Sequence, residues 1–417
     1  MNTTEKQFID LLSNSIRNEV CKKKYDNVDW NELMNLSRKH KIEGLIYSAL
    51  NKSRLLENID EDKVNELKKE VFFTGVTQIS NMSKLEIVFN EFSKENVPVI
   101  VLKGLVVREY YPQPEQRSMS DADIFVKAKD LNKSKKILID LGYTEVDAEA
   151  SHHIKYIKSG YPMIELHWHV MKRDGFSDEL DLFEDDIWDR TIEVKVKGAK
   201  VLSLGYEDLA LHLCMHMAAH LAASGFGDLV LLVEKKGHLI DWTLFINKAE
   251  EFGFKKFIII MFKICNILFS MDIPKEMAVY KIDDEEMFES LISTIFDGGV
   301  YGKKDMASNF ANQVAFNYKG KDSNATIGAI RRYFRFIFPS IETMSDKYSY
   351  ARKIRILTPI AWIHHLFSGI FRKEYNFTDK IRFLTKGAKE SVEKIKEIIN
   401  KKTGILLVTG PTGSGKT

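Results

Sequence analysis

Cysteine is scarce in this chain, with three residues (Cys21, Cys214 and Cys265) in 417. They lie far apart and form no CxxC pair, which argues against a disulfide framework or a zinc knuckle and fits a reducing cytoplasm. An excess charge of one sign is also missing: 61 Lys and Arg balance 59 Asp and Glu, for a net charge of +2. No global basic field therefore points to nucleic acid, which is not favoured as a partner, although local basic patches stay open. No apolar run is long enough to span a bilayer. The most apolar one, residues 257–271, contains Lys263 and reads as a buried helix, so no transmembrane segment is expected. The first residues, MNTTEKQFIDLL, lack a basic stretch followed by an apolar one and do not read as a signal peptide. There is no internal repeat and no low-complexity tract.

What is present is an ordinary soluble composition, 44% apolar and 29% charged, on a chain long enough for two or three domains and a full core. Residues 1–95 read as helical. Val64, Leu67, Val71, Val76, Ile79, Met82, Leu85, Val88, Phe89 and Phe92 recur at mostly three- or four-residue spacing and predict one apolar helix face. Asn96-Val97-Pro98 breaks that helix. A β-rich run, VPVIVL, is then closed by Lys103-Gly104. A short helix at 105–111, a loop at 112–120, a strand at 122–126 and a helix at 131–141 stopped by Gly142 follow. Two strands, 153–158 and 161–170, are joined by the Ser159-Gly160 turn, and 192–202 reads as a hairpin around Lys197-Gly198. Helices are expected again at 208–223, 242–252 and 390–402. The prediction is an α+β fold: a small mixed-sheet core at 96–202, a helical N-terminal region at 1–95 and a helical C-terminal domain at 203–375. Residues 376–417 form a helix plus a tail.

Asp121 and Asp123 are one residue apart in a strand-like run, so their side chains share a face. Glu165, in a second strand-like run (MIELHWHV), supplies a third carboxylate. Carboxylates converging on one point repel each other unless a cation sits between them, and hard oxygen ligands suit Mg²⁺. A DxD alone also fits a loop capped by solvated acids. KG, RxMSDxD and ELHW, in that order and in strand context, favour the metal site.

Glu165, His167 and His169 alternate on one strand face. An imidazole there either ligates a metal or shuttles a proton, or His167 orients the carboxylates as a donor; the last reading is favoured. His212, His216 and His220 lie four apart on one helix face. An HxxxH pair can hold zinc, but no glutamate stands in the HExxH position, so packing or substrate lining is preferred. His152-His153 reads as an ordinary strand-edge pair.

LKG, RSMSDAD and ELHW together resemble a bacterial family of uncharacterised nucleotidyltransferases of the polymerase-beta-like superfamily. LHLCMHMAAH, LIDWTLFINKAEEFG, YFRFIFPS and LTPIAWI are similar to that family's helical C-terminal half, so the resemblance covers roughly residues 79–373. It implies an enzyme that moves a nucleoside monophosphate from an NTP to an unknown hydroxyl acceptor and releases pyrophosphate. It also implies two Mg²⁺ ions on Asp121, Asp123 and Glu165, with Glu165 as base. Lys103, Gly104, Arg117, Ser120 and His167 would line the nucleotide. The superfamily has a Gly-Ser phosphate turn where this chain has Lys103-Gly104. Lys103 can take the serine's place as a point charge on the triphosphate, but the same departure fits a catalytically silent binding or scaffold domain. Arg117 fits either a bidentate phosphate contact or a pair with a nearby acid. The choice among ATP, CTP, GTP and UTP is not encoded legibly.

Two segments point elsewhere. The sequence given ends GILLVTGPTGSGKT, in which Gly410, Gly415, Lys416 and Thr417 match a P-loop after an apolar strand. A working P-loop needs a following helix and a later acid. The expectation is a truncated domain or fusion remnant with a frayed tail, the rival being a fragment of a P-loop ATPase. Arg331, Arg332, Tyr333, Arg335, Phe336 and Phe338 combine charge with stacking surface, as single-stranded nucleic acid or a membrane surface would require. Packing of Tyr333, Phe336 and Ile337 on the core is preferred.

Overall fold

The computed structural model describes residues 1–146, 152–170, 186–219, 223–280 and 285–298 except 24, 26, 27 and 253, together with 184, 338, 341, 344 and 348–371. The P-loop-like tail, the expected helix at 390–402, most of the aromatic-basic segment and His220 lie outside the described residues.

The N-terminal region is helical, as its spacing predicts. α1 (Thr3–Arg17) starts with a capping box, in which the Asn2 side chain accepts from the Glu5 amide and Glu5 accepts from the Asn2 amide. α2 (Trp30–His40) and α3 (Glu43–Lys52) follow, then α4 (Glu61–Lys94), a single helix of 34 residues. Val64, Leu67, Met82, Leu85, Val88, Phe89 and Phe92 are buried along α4 as expected. Val76 and Ile79 are not; they are 49% and 57% exposed. Mid-helix, the inward position belongs instead to Gln78, whose amide donates to the Met119 carbonyl at 3.0 Å. A polar anchor on a loop has displaced the apolar register there.

The sheet has seven strands in the order β3-β4-β5-β2-β1-β7-β6. They are β1 (Ile100–Val101), β2 (Asp121–Phe125), β3 (Thr144–Val146), β4 (His153–Ile157), β5 (Met163–His167), β6 (Ile192–Val196) and β7 (Ala199–Ser203). β2 pairs in parallel with β5, and β1 with β7; the other neighbours are antiparallel. The expected hairpins are there, with Gly160 turning at φ 73. β3 is an addition to the expected strands, since its TEV stretch is short and half-exposed. α5 (Gly104–Val107) and a 3₁₀ turn, Arg108–Tyr110, fill the crossover after β1, and α6 (Leu131–Asp140) that after β2.

Beyond the sheet come α7 (Tyr206–Ala219), α8 (Ala223–Lys236), α9 (Trp242–Glu251), α10 (Lys255–Phe269), α11 (Lys275–Ala278) and α12 (Glu285–Gly298). α8 had no counterpart among the expected helices. α10 is the buried apolar helix anticipated at 257–271. Buried side chains from Phe8 on α1 to Phe296 on α12 form one continuous core through the sheet. α13 (Ser349–Lys353) and α14 (Thr358–Phe371) make a smaller cluster around Tyr348. No described helix is long and apolar enough to cross a membrane. The fold is mixed α/β with a helical N-terminal region.

Candidate carboxylate site

The parallel pairing of β2 with β5 sets Asp123 directly opposite Glu165 and Phe125 opposite His167. With period-2 alternation, Asp121 and Asp123 share a face with Glu165 and His167. His167 Nε2 lies 3.0 Å from Asp123 Oδ1 and 3.6 Å from Glu165 Oε2. Ser120 Oγ donates to Asp121 Oδ1 at 3.3 Å. Asp123 and His167, both buried, and half-buried Glu165 form a cluster able to hold a cation. Asp121 stands beside it and is not one of its ligand atoms.

Lys103 reaches the same point. Its Nζ is 3.3 Å from Asp123 Oδ1. Its backbone has φ 46 and ψ −116, a region that non-glycine residues rarely adopt. Gly104 follows because a Cβ there would sit 2.6 Å from Arg117 Nη1 and 2.9 Å from Met119 Sδ. The guanidinium is turned toward α8: Arg117 Nε donates to Asp228 Oδ1 at 2.7 Å and Nη2 to Oδ2 at 2.5 Å. Tyr111 donates to the same carboxylate at 2.8 Å. Arg117 therefore pairs with an acid, and the nitrogen left beside the Gly104 turn is Nη1.

Burial acts against every carboxylate here, and the neighbours decide the outcome. It pushes Asp123 up, but Lys103 and the His167 hydrogen bond hold that carboxyl well below the usual range. Glu165 is likewise lowered: burial pushes it up, and the His167 hydrogen bond together with the neighbouring imidazoles His153 and His167 outweighs it. His167 is raised: burial disfavours its charge, and the bonds to Asp123 and Glu165 restore it. Asp121 is pushed up by burial and by repulsion from Asp123 and Glu165. Lys103 and the His167 hydrogen bonds thus favour charge on Asp123 and Glu165, and Asp121 is the least compensated of the three carboxylates.

Several residues belong here that the sequence reading omitted, as with Lys155 and Asp228, or read as strand-edge, packing or substrate-lining residues, as with His153, His212 and His216. In the β4–β5 hairpin Lys155 is opposite Glu165 and His153 opposite His167. Lys155 Nζ lies 3.5 Å from Glu165 Oε1, and His153 Nε2 lies 3.8 Å from Oε2. A hairpin centred on Gly160 requires this register, so the turn carried the signal. His153 is lowered to about 4 by burial and by His167. On α7, His212 is fully buried and lowered to about 3 by burial and the nearby Lys103. His216, one turn on, acts electrostatically on Asp123. Asp228 was legible only as an acid inside an apolar helix, DLVLLV, where a buried partner is the usual reason for its presence.

A family model described as an uncharacterised nucleotidyltransferase matches residues 26–270. The match includes all seven strands and α7–α10, extends further toward the N-terminus than the motif resemblance, and stops before YFRFIFPS and LTPIAWI. No curated protein and no solved structure matches the chain significantly.

Proposed function

The chain belongs to this family of uncharacterised nucleotidyltransferases, and we propose that it moves a nucleoside monophosphate from an NTP to a hydroxyl acceptor. The observation that carries the reading is the register of β2 on β5, which sets Asp123 across from Glu165 with Asp121 on the same face. Carboxylate oxygens whose charge Lys103 and His167 only partly offset, with Asp121 beside the Asp123–Glu165 pair, fit hard divalent cations. Asp121, Asp123 and Glu165 would hold Mg²⁺, two ions in this reading. When bound, Mg²⁺ would supply charge neutralisation at the triphosphate and a lowered pKa for the attacking hydroxyl.

The chain's own groups do the rest. The acceptor oxygen forms a bond to the α-phosphorus, the bond to the bridging oxygen breaks, and pyrophosphate leaves with the electron pair. Glu165 takes the hydroxyl proton. Lys103 Nζ moves from Asp123 to the triphosphate as a point charge. Arg117, anchored by Asp228, presents Nη1 beside the Gly104 turn, and Ser120 steadies Asp121. His167 orients Asp123 and Glu165. His212 and His216 lie on α7 beside Lys103 and Asp123, and the helical region 203–375 would shape the acceptor pocket. The three cysteines are free thiols, in keeping with a cytoplasmic setting.

A nucleotide-binding domain without turnover is the second reading, favoured by the Lys103–Asp123 ion pair where the superfamily has a Gly-Ser turn. The ATPase reading rests on residues 404–417 alone, outside both the family match and the described residues. The test incubates the protein with Mg²⁺, α-labelled NTPs and a panel of sugars, RNA ends and proteins. Label transfer with matching pyrophosphate, lost in D123A and E165A, supports the enzyme. Bound nucleotide that stays intact with every acceptor supports the silent domain.

A further inference from the structure

Next to the carboxylates stands a second group of donors of a different chemical kind. His152, His153 and His167 each offer a ring nitrogen, and these nitrogens lie within 4.8 Å of one another. Consecutive residues of a regular strand point to opposite faces, so His152 and His153 would normally diverge. Here His152 sits at the bend before β4, and its carbonyl accepts from the amides of Trp168 at 3.1 Å and His169 at 3.4 Å. That clamp turns both rings to one side: their centroids are 4.2 Å apart, and His153 Nδ1 is 2.8 Å from His152 Nε2. The His167 ring is 4.9 Å from that of His153 and 5.6 Å from that of His152.

His167 is placed as metal-binding imidazoles usually are. Its Nε2 faces Asp123 and Glu165, and its Nδ1 is buried without a hydrogen-bond partner. A carboxylate on one nitrogen fixes the tautomer and leaves a lone pair on the other, the carboxylate–histidine–metal arrangement.

We propose that His152, His153 and His167 form a second cation site, selective for a borderline transition metal of the Zn²⁺ type and distinct from the oxygen site for Mg²⁺. Three imidazoles suit Zn²⁺, Co²⁺ or Ni²⁺ and are poor ligands for Mg²⁺. Tetrahedral Zn–N bonds of about 2.0–2.1 Å need nitrogens roughly 3.3 Å apart. The His152–His153 pair, at 2.8 Å, would open slightly, and the other nitrogens, all within 4.8 Å, would close on the ion. Binding would replace the His152–His153 hydrogen bond and leave the remaining position to a solvent molecule. The site stands whether or not the chain transfers nucleotide, because it uses neither Asp121 nor Lys103.

The test titrates the full chain with Zn²⁺ by calorimetry and with Co²⁺ by visible absorption, in excess Mg²⁺. The expected result is one Zn²⁺ per chain, an intense tetrahedral-type Co²⁺ band, and affinity lowered more than about tenfold in H152Q and in H153Q. D121N should keep Zn²⁺ binding while losing Mg²⁺-dependent nucleotide binding, which separates this site from the proposed activity. Circular dichroism confirms that each variant is folded. Zn²⁺ affinity unchanged in both histidine variants, displacement by millimolar Mg²⁺, or no Zn²⁺ binding by the folded wild type would overturn the proposal.

Discussion

Lys103 Nζ lies 3.3 Å from Asp123 Oδ1, so the carboxylate at the centre of the site already has a cation. That ammonium competes with a metal in the resting protein and is the natural partner of a triphosphate once a metal arrives. K103M is therefore expected to bind Mg²⁺ alone more tightly than wild type. It should bind the Mg²⁺–NTP pair roughly ten- to a hundredfold more weakly, the size of one lost hydrogen bond to a charged group. Calorimetry with and without nucleotide reads both. Weaker Mg²⁺ binding in K103M would mean that Lys103 does not compete for the metal position.

Gly104 has no room for a side chain, since Arg117 Nη1 and Met119 Sδ would lie 2.6 and 2.9 Å from its Cβ. G104A forces the guanidinium off the turn. Overpacking of this kind costs about 1–3 kcal/mol, and nucleotide affinity should fall at least as far as in K103M. A G104A protein that binds NTP normally would remove the turn from the site.

The Arg117–Asp228 pair ties the loop before β2 to α8. Breaking a buried ion pair on one side leaves an uncompensated charge and costs about 3–5 kcal/mol, so D228N should unfold at clearly lower urea concentration. The double variant R117M/D228L replaces the pair with apolar volume and should recover most of that stability without recovering nucleotide affinity. Recovery of both would show that Arg117 serves packing alone.

His40 gives an acid-sensitive term far from the site. It is fully buried against Phe8 and Phe296, with neither ring nitrogen hydrogen-bonded. Burial lowers its pKa from 6.5 to about 4. The unfolded chain therefore binds the extra proton first, and stability is full above pH 6.5 and drains as pH falls toward 4. Between pH 7 and 4.5 this removes on the order of 2–3 kcal/mol. Urea unfolding of H40F should lack that part of the slope; equal slopes for H40F and wild type would contradict the assignment.

Asp121, Asp123 and Glu165 were legible because strand alternation and the order of the motifs are local properties of the chain. The parallel pairing of β2 with β5 is not local, and with it went the placing of Asp123 opposite Glu165, whereas the approach of Lys155 to Glu165 follows from the local β4–β5 hairpin. Arg117 shows the limit in another form. The sequence allowed a phosphate or an acid, and only the packing of α8 brings Asp228 within 2.5 Å. Along α4 the apolar spacing located the helix but placed Val76 and Ile79 inward, because periodicity cannot see that Gln78 has a carbonyl to bind. α8 escaped notice because Gly225 and Gly227 interrupt its pattern; Gly227 is needed where Tyr111 Oη would lie 3.2 Å from a Cβ.

The most direct test of the central claim is calorimetric titration of the full chain with each NTP, with and without Mg²⁺, wild type against D121A/D123A. The account predicts binding of at least one NTP that requires Mg²⁺ and disappears in the double variant while the fold persists. No binding to any NTP by folded wild type, or binding that survives loss of both aspartates, would contradict it.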